Sequence, residues 1–158
     1  MRLTRAQVDR MCDHAKAAYP DECCGVILGP PEGGGLRLIP CRNIQDEMHA
    51  RDPEAYPRTA RRAYLIDPFE FERVLGEARE RGEVLRGIFH SHPEEDAYFS
   101  QEDREAAVPF GDIPSFPLAE HVVMSVRDRE VRDFKVFRWG KEEKDFLPGD
   151  FEVEEEAP

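Results

Sequence analysis

The stretch Gly87-Ile88-Phe89-His90-Ser91-His92-Pro93, followed by Ser100 and Asp103, holds the residue types in this chain that are best suited to chemistry. In an extended strand, side chains two positions apart point to the same face. His90 and His92 therefore leave the end of a strand side by side, and Pro93 ends regular pairing. Seven residues separate His92 from Ser100, and Ser100-Gln101-Glu102-Asp103 opens a helical run in which positions three apart share a face. Two imidazoles and a carboxylate converging from a strand end and a helix start make a His/His/Asp metal site with room for a fourth ligand. Each group also has a plainer role. A His-x-His pair can simply end a strand, and Ser100 and Asp103 can cap a helix.

The elements that must carry these groups follow from pattern. Thr4-Arg5-Ala6-Gln7 is a capping box, and Val8, Met11, Ala15 and Ala18 recur at helical spacing, which predicts a helix over 5–18 ended by Tyr19-Pro20. Cys23 to Gly29 reads as a buried strand, Pro30 to Gly35 as a turn, and Leu36 to Pro40 as the returning strand. Residues 43–60 have no period and read as a loop or a short helical turn. Ala63 to Ile66 is expected as a further strand. Asp67-Pro68-Phe69-Glu70 starts a helix with a buried stripe at Phe71, Val74, Leu75 and Ala78 that stops near Gly82. The strand 84–90 follows, then a helix over 100–107, a Pro- and Phe-rich loop over 110–117, and strands from His121 to Val126 and Val131 to Trp139 around an Asp128-Arg129 turn. This order predicts an α/β (α+β) fold, a mixed β-sheet flanked by helices.

Composition narrows the function. At 158 residues the chain is expected to form one domain over 1–140 with an acidic, solvated tail over 141–158, in which Phe146, Leu147 and Phe151 could still dock on the body. Net charge is −12, half of it in that tail, which argues against a nucleic-acid partner. No run is long and apolar enough for a membrane span, and the first residues lack the apolar core of a signal peptide, so a cytoplasmic location is expected. Cys12, Cys23, Cys24 and Cys41 lack Cys-x-x-Cys spacing and are expected as reduced thiols. Strand alternation points Cys23 and Cys24 to opposite faces, and burial is favoured for both over metal ligation. His14 on a helix, His49 in a loop and His121 at a strand end have no spacing that calls for a metal.

His90-Ser91-His92-Pro93, the seven-residue gap and Ser100-x-x-Asp103 occur once and in order. With Glu22 inside Tyr19-Pro20-Asp21-Glu22-Cys23-Cys24-Gly25, this resembles the JAMM-type (MPN-domain) zinc metallopeptidases, in their compact prokaryotic branch. The resemblance covers roughly residues 3–138 and implies an MPN-type, cytidine-deaminase-like architecture. It implies His90, His92 and Asp103 as ligands of one Zn²⁺ per chain, with a zinc-bound water as nucleophile. Glu22 is then the general base and Ser100 the oxyanion-assisting hydroxyl. Neutral imidazoles with one carboxylate leave the metal net positive, which suits activation of water.

The implied reaction is hydrolysis of peptide or isopeptide bonds after the C-terminal Gly-Gly of a ubiquitin-like or sulfur-carrier protein, and a homodimer is left open. The loops 45–60 and 108–118, with Met48, Phe110 and Phe116, are candidates for the channel that receives such a tail. Two rival readings remain. One is a non-catalytic MPN-type scaffold that binds ubiquitin-like proteins, which has no need of Glu22. The other is a nucleic-acid-linked hydrolase, which the charge disfavours. A third idea, that the acidic tail folds over the site, competes with simple solvation.

Overall fold

The computed structural model describes residues 1–155; the last three residues of the expected tail lie outside the described residues. Twelve elements follow in the order β1 (Arg2–Thr4), α1 (Arg5–Ala18), β2 (Cys24–Gly29), β3 (Arg37–Cys41), α2 (Gln45–Arg51), α3 (Pro68–Glu80), β4 (Val84–Pro93), α4 (Gln101–Ala107), β5 (Glu120–Arg127), β6 (Glu130–Gly140), β7 (Asp145–Gly149) and β8 (Glu152–Glu154). Six strands form one sheet in the order β3-β2-β4-β5-β6-β7, and β1 pairs with β8 apart from it. Only β4 and β5 run parallel within the large sheet; every other neighbouring pair is antiparallel. The expected mixed sheet flanked by helices is the architecture found. Among the described residues, no helix is long and apolar enough to cross a membrane.

Alternation along the central strands sorts the core into two layers. Cys23, Ile27, Phe89, Val122 and Met124 pack under α1 with Val8, Met11 and Ala15. Cys24, Val26, Leu28 and Leu85 pack on the other face under α3, with Val74 and Ala78. Cys23 and Cys24 thus bury on opposite faces, as strand geometry requires. All four cysteines are free. The helix starts are locally encoded. Thr4 Oγ1 accepts from the Gln7 amide while Gln7 Oε1 accepts from the Thr4 amide, and Asp67 Oδ1 accepts from the Phe69 amide. Asp128 and Arg129 both have φ in the left-handed region, as a two-residue turn between antiparallel strands requires.

Three expectations are corrected. Residues 63–66 form no strand beyond a single bridge between Asn43 and Ile66. Their backbone is held by the Asn43 side chain, whose Nδ2 donates to Ala63 O and whose Oδ1 accepts from the Leu65 amide, so a ladder is not needed. The strand expected over 84–90 runs on to Pro93, because β5 pairs beside it through Pro93 and Val126. The tail expected to be solvated contributes two strands. β7 extends the main sheet beside β6, and β8 pairs with β1. Their apolar residues explain this. Phe146 lies against Phe99, His121 and Trp139, with ring centroids 4.5, 5.1 and 5.2 Å apart, and Phe151 stacks on Phe134. Phe146 and Phe151 thus dock on the body, as the sequence allowed, within an otherwise acidic segment.

Phe146→Ala should therefore lower the unfolding free energy by roughly 2–3 kcal/mol, below the range for a fully buried Phe, and the denaturant midpoint with it. The measurement is a urea transition at unchanged slope; a midpoint equal to wild type would show that β7 adds nothing to folding.

Candidate metal and hydrolytic centre

The register between β2 and β4 assembles the centre. Cys24 lies opposite His90 in the antiparallel pair. Just beyond the end of β2, the Cys23 amide donates to Ser91 Oγ at 2.8 Å, and the Ser91 amide donates to Cys23 O at 3.1 Å. Continuing that register sets Glu22 beside His92, and the period of two turns Glu22, Cys24, His90 and His92 to one face. Glu22, His90 and His92 each offer a donor atom within 4.8 Å of the others. All three are nearly closed to solvent, at 5%, 0% and 7% exposure.

The remaining donor comes from the start of α4. Ser100 caps this helix: its Oγ accepts from the Asp103 amide at 3.1 Å, and Asp103 Oδ2 accepts from the Ser100 amide at 3.0 Å. The reciprocal cap fixes the Asp103 carboxylate, whose oxygens lie 3.2 Å from His90 Nε2 and 3.4 Å from His92 Nε2. Asp103 Oδ2 thus serves the cap and also faces the His92 imidazole. Ser100 Oγ accepts in the cap and keeps its own proton available to another acceptor.

These separations can be tested against a metal. The two Nε2 atoms are 3.0 Å apart, close enough for two lone pairs to repel unless a proton or cation lies between them. His92 Nδ1 is 2.9 Å from Asp96 O, which suits an Nδ1–H donor and leaves the Nε2 lone pair to ligate. Ligands about 2.0–2.1 Å from a tetrahedral ion stand roughly 3.3 Å from one another. The spacings of 3.0, 3.2 and 3.4 Å among His90, His92 and Asp103 match that figure. A metal ion fits these donors. Tyr64 stacks on the His90 ring with centroids 4.6 Å apart and holds its plane.

Electrostatics sort the two carboxyls. Burial raises the Glu22 carboxyl to about 8, partly opposed by His92 and reinforced by Asp103. Burial would raise Asp103 as well, but the charge of His90 and hydrogen bonds from His90, His92 and the Ser100 amide hold it well below the ordinary carboxylate range. One carboxyl is therefore suited to carry a proton and the other to stay anionic.

The centre opens into a cleft of about 890 Å³, walled by residues 55–68 on one side and 106–116 on the other. Both loops expected to form a channel contribute. Of the three apolar candidates, Phe116 lines the cleft, whereas Met48 and Phe110 do not. Phe110 is exposed and points elsewhere. Neither Cys23 nor Cys24 joins the donor cluster, although Cys24 shares its face. His14 Nε2 is spent on the carbonyls of Cys24 and Cys41, and His49 Nδ1 on Tyr56 O.

Asn43 and His121 have roles that sequence patterns did not reveal. Asn43 Nδ2 donates to Glu22 O at 2.9 Å as well as to Ala63 O, and its Oδ1 accepts from the Gln45 and Leu65 amides. One amide thereby ties the backbone of Glu22 to the cleft wall. No periodicity marks such a residue, because its partners are scattered in sequence. His121 is the second residue of β5, at the strand end as expected, and it is buried against Phe99 and Phe146. Burial, then the nearby His90, lowers it to about 4 and keeps it neutral.

Residues 4–139 match the family described as prokaryotic homologs of the JAB domain. Over 133 residues the chain is 32% identical to a CysO-cysteine peptidase of Mycobacterium tuberculosis, spanning 83% of this chain and 77% of that protein. It is 31% identical over 103 residues to a desampylase of Haloferax volcanii, spanning 63% and 66%. A solution structure from Desulfitobacterium hafniense superposes with a TM-score of 0.72 at 26% identity, covering 98% of this chain and 93% of that one. A JAB1/MPN-domain protein of Archaeoglobus fulgidus, at TM-score 0.54 and 18% identity over 97% and 98% of the two chains, shares the fold.

Burial of Glu22 has a consequence for the metal-free protein. A carboxyl raised on folding binds its proton more tightly in the folded state, so stability falls as pH rises from about 4.5 to about 8. Glu22→Gln removes this titration. The melting temperature of chelator-stripped Glu22→Gln should decline less across that window than that of stripped wild type; parallel declines would place the Glu22 carboxyl in water.

Proposed function

The chain belongs to the family of prokaryotic JAB-domain proteins, and on that premise we propose that it is a zinc-dependent peptidase. Its bond is the one following the C-terminal Gly-Gly of a ubiquitin-like or sulfur-carrier protein, cut in the cytoplasm. The observation that carries the reading is the meeting of Glu22 with His90 and His92 at the floor of an open cleft, with Asp103 against both imidazoles. The peptidase and desampylase names of two relatives support the reaction class. The donor set suits zinc, since imidazole nitrogens with one carboxylate are among its usual ligands.

His90, His92 and Asp103 would hold the zinc, which would supply a Lewis acid for the scissile carbonyl and lower the pKa of a water to about 7. Glu22 takes a proton from the attacking water and delivers it to the leaving nitrogen, so that the C–N bond breaks to give a carboxylate and an amine. A carboxyl near neutrality can do both. The Ser100 hydroxyl donates to the oxygen on which charge develops. Asn43 and the Ser100 cap act earlier, by holding Glu22 and Asp103 in place. A Gly-Gly tail suits a reaction centre this deeply buried, because a chain without side chains can reach donors that a bulkier one cannot.

Glu22→Gln should keep stoichiometric zinc while turnover falls by about 10²–10⁴. Ser100→Ala should lose about 10²–10³, and His92→Ala should lose both zinc and turnover. Elemental analysis and intact-mass assays of tail-extended carriers, with and without chelator, read both quantities. Full turnover in Glu22→Gln, or binding of an extended tail with no cleavage by the zinc-loaded wild type, would overturn the peptidase reading.

A further inference from the structure

The cleft carries a charge feature that the hydrolytic set does not use. In a chain of net charge −12, the segment Arg58-Thr59-Ala60-Arg61-Arg62 sets three guanidinium side chains along one wall of the cleft. Arg58 pairs with Glu102 from the α4 wall. Arg61 and Arg62 are exposed and make no side-chain hydrogen bond or ion pair among the described residues. Other arginines also lack ion pairs among the described residues, but only Arg58, Arg61 and Arg62 line the cleft. Arg61 lies near enough for its charge to act on Asp21, and Arg62 on Glu22 and Tyr98, yet neither is committed to an ion pair. Two cations facing a reaction centre in this way suit an anion brought by the substrate.

The segment is also anchored to the general base. The Glu22 amide donates to Ala60 O at 2.7 Å, the Ala60 amide to Asp46 Oδ1 at 2.7 Å, and Gln45 Nε2 to Arg58 O at 2.9 Å. Ala60 and Gln45 are buried. The guanidinium groups therefore spring from a backbone fixed relative to Glu22. Arg58 and Arg62 are near enough for their charges to act on the Glu22 carboxyl, and Arg62 also acts on Tyr98 across the cleft.

We propose that Arg61 and Arg62 bind the free α-carboxylate of an amino-acid leaving group, so that the site favours tails capped by a single α-linked amino acid over tails joined to a lysine side chain. The inference rests on the peptidase reading above. Its core is covalent geometry. The leaving nitrogen must sit beside Glu22 to receive a proton. In an α-linked amino acid the carboxylate is bonded to the carbon next to that nitrogen, which places it near Glu22 and within reach of the neighbouring arginines. In an isopeptide the same nitrogen ends a four-carbon stem, and no free carboxylate is nearby. A guanidinium fork matches a carboxylate in a bidentate manner that a lysine ammonium does not.

The test uses the zinc-loaded full chain and two synthetic peptides ending in Gly-Gly-Ala, one a free acid and one the C-terminal carboxamide. Wild type should cleave the acid with a kcat/KM roughly tenfold to a hundredfold above that of the amide. In the Arg61→Ala/Arg62→Ala double variant that ratio should fall to about one, and Arg62→Lys should restore it only in part. A wild-type ratio near one, or a ratio that survives the double substitution, would overturn the inference; the second result would assign these arginines to the body of the carrier. A binding arm separates this failure from failure of the peptidase reading. Calorimetric titration of both peptides into the Glu22→Gln protein should show the acid bound more tightly than the amide, and the Arg61→Ala/Arg62→Ala changes should abolish that preference whether or not any peptide is cleaved. No acid preference in that titration rejects the carboxylate site on its own.

Discussion

The antiparallel register between β2 and β4 is the constraint on which the site depends. It sets Cys24 opposite His90 and, through the Cys23–Ser91 bonds, brings Glu22 beside His92. Side chains alternate along both strands, so a slip of one residue would turn Glu22 away from the imidazoles. The register is in turn held by the two buried layers. Phe89 must face α1 with Ile27, while Cys24 and Val26 must face α3. A polar centre is thus positioned by apolar packing on both faces of its own strands.

Keeping a carboxyl, two imidazoles and a carboxylate so nearly closed to water is unfavourable unless each group has partners. The structure supplies most of them locally. Asp103 is satisfied by the Ser100 amide and by both histidines, and His92 by Asp96 O. Two groups are exceptions. His90 Nδ1 is buried without a hydrogen-bond partner among the described residues, and Glu22 is the other. Its backbone is pinned by Asn43 and Ala60, yet its carboxyl is left with burial as its main influence. A group destabilised as an anion and fixed in place is well suited to moving a proton.

The cleft walls differ in how they are built. The 55–68 wall hangs from side chains of Asn43, Gln45 and Asp46 rather than from a ladder. The opposite wall includes α4, and β7 braces that helix through Arg104, which contacts Asp145 Oδ1 and Lys144 O. The acidic C-terminal segment therefore supports the element that carries Ser100 and Asp103. It neither hangs free nor, as far as residue 155, lies among the cleft-lining residues. The absence of a ladder on the arginine wall leaves its side chains free to face the cleft.

The sequence by itself determined the donors and their local spacing. The period of two sets His90 and His92 on one face, and the Ser100-x-x-Asp103 cap turns a carboxylate inward. Both are properties of a few consecutive backbone dihedrals. Helices α1, α3 and α4 were legible for the same reason, since their caps and stripes are local. The strand expected over 63–66 was an error of the same local logic, because a short apolar run says nothing of whether a neighbour is free to pair with it. Only the tertiary structure decided that Asn43 holds Glu22, that His121 is buried beside Phe146, that three arginines line one wall, and that an acidic tail contributes strands. Each of these depends on contacts between residues distant in sequence, whose register is set by packing of the whole sheet and leaves no periodic trace in the chain.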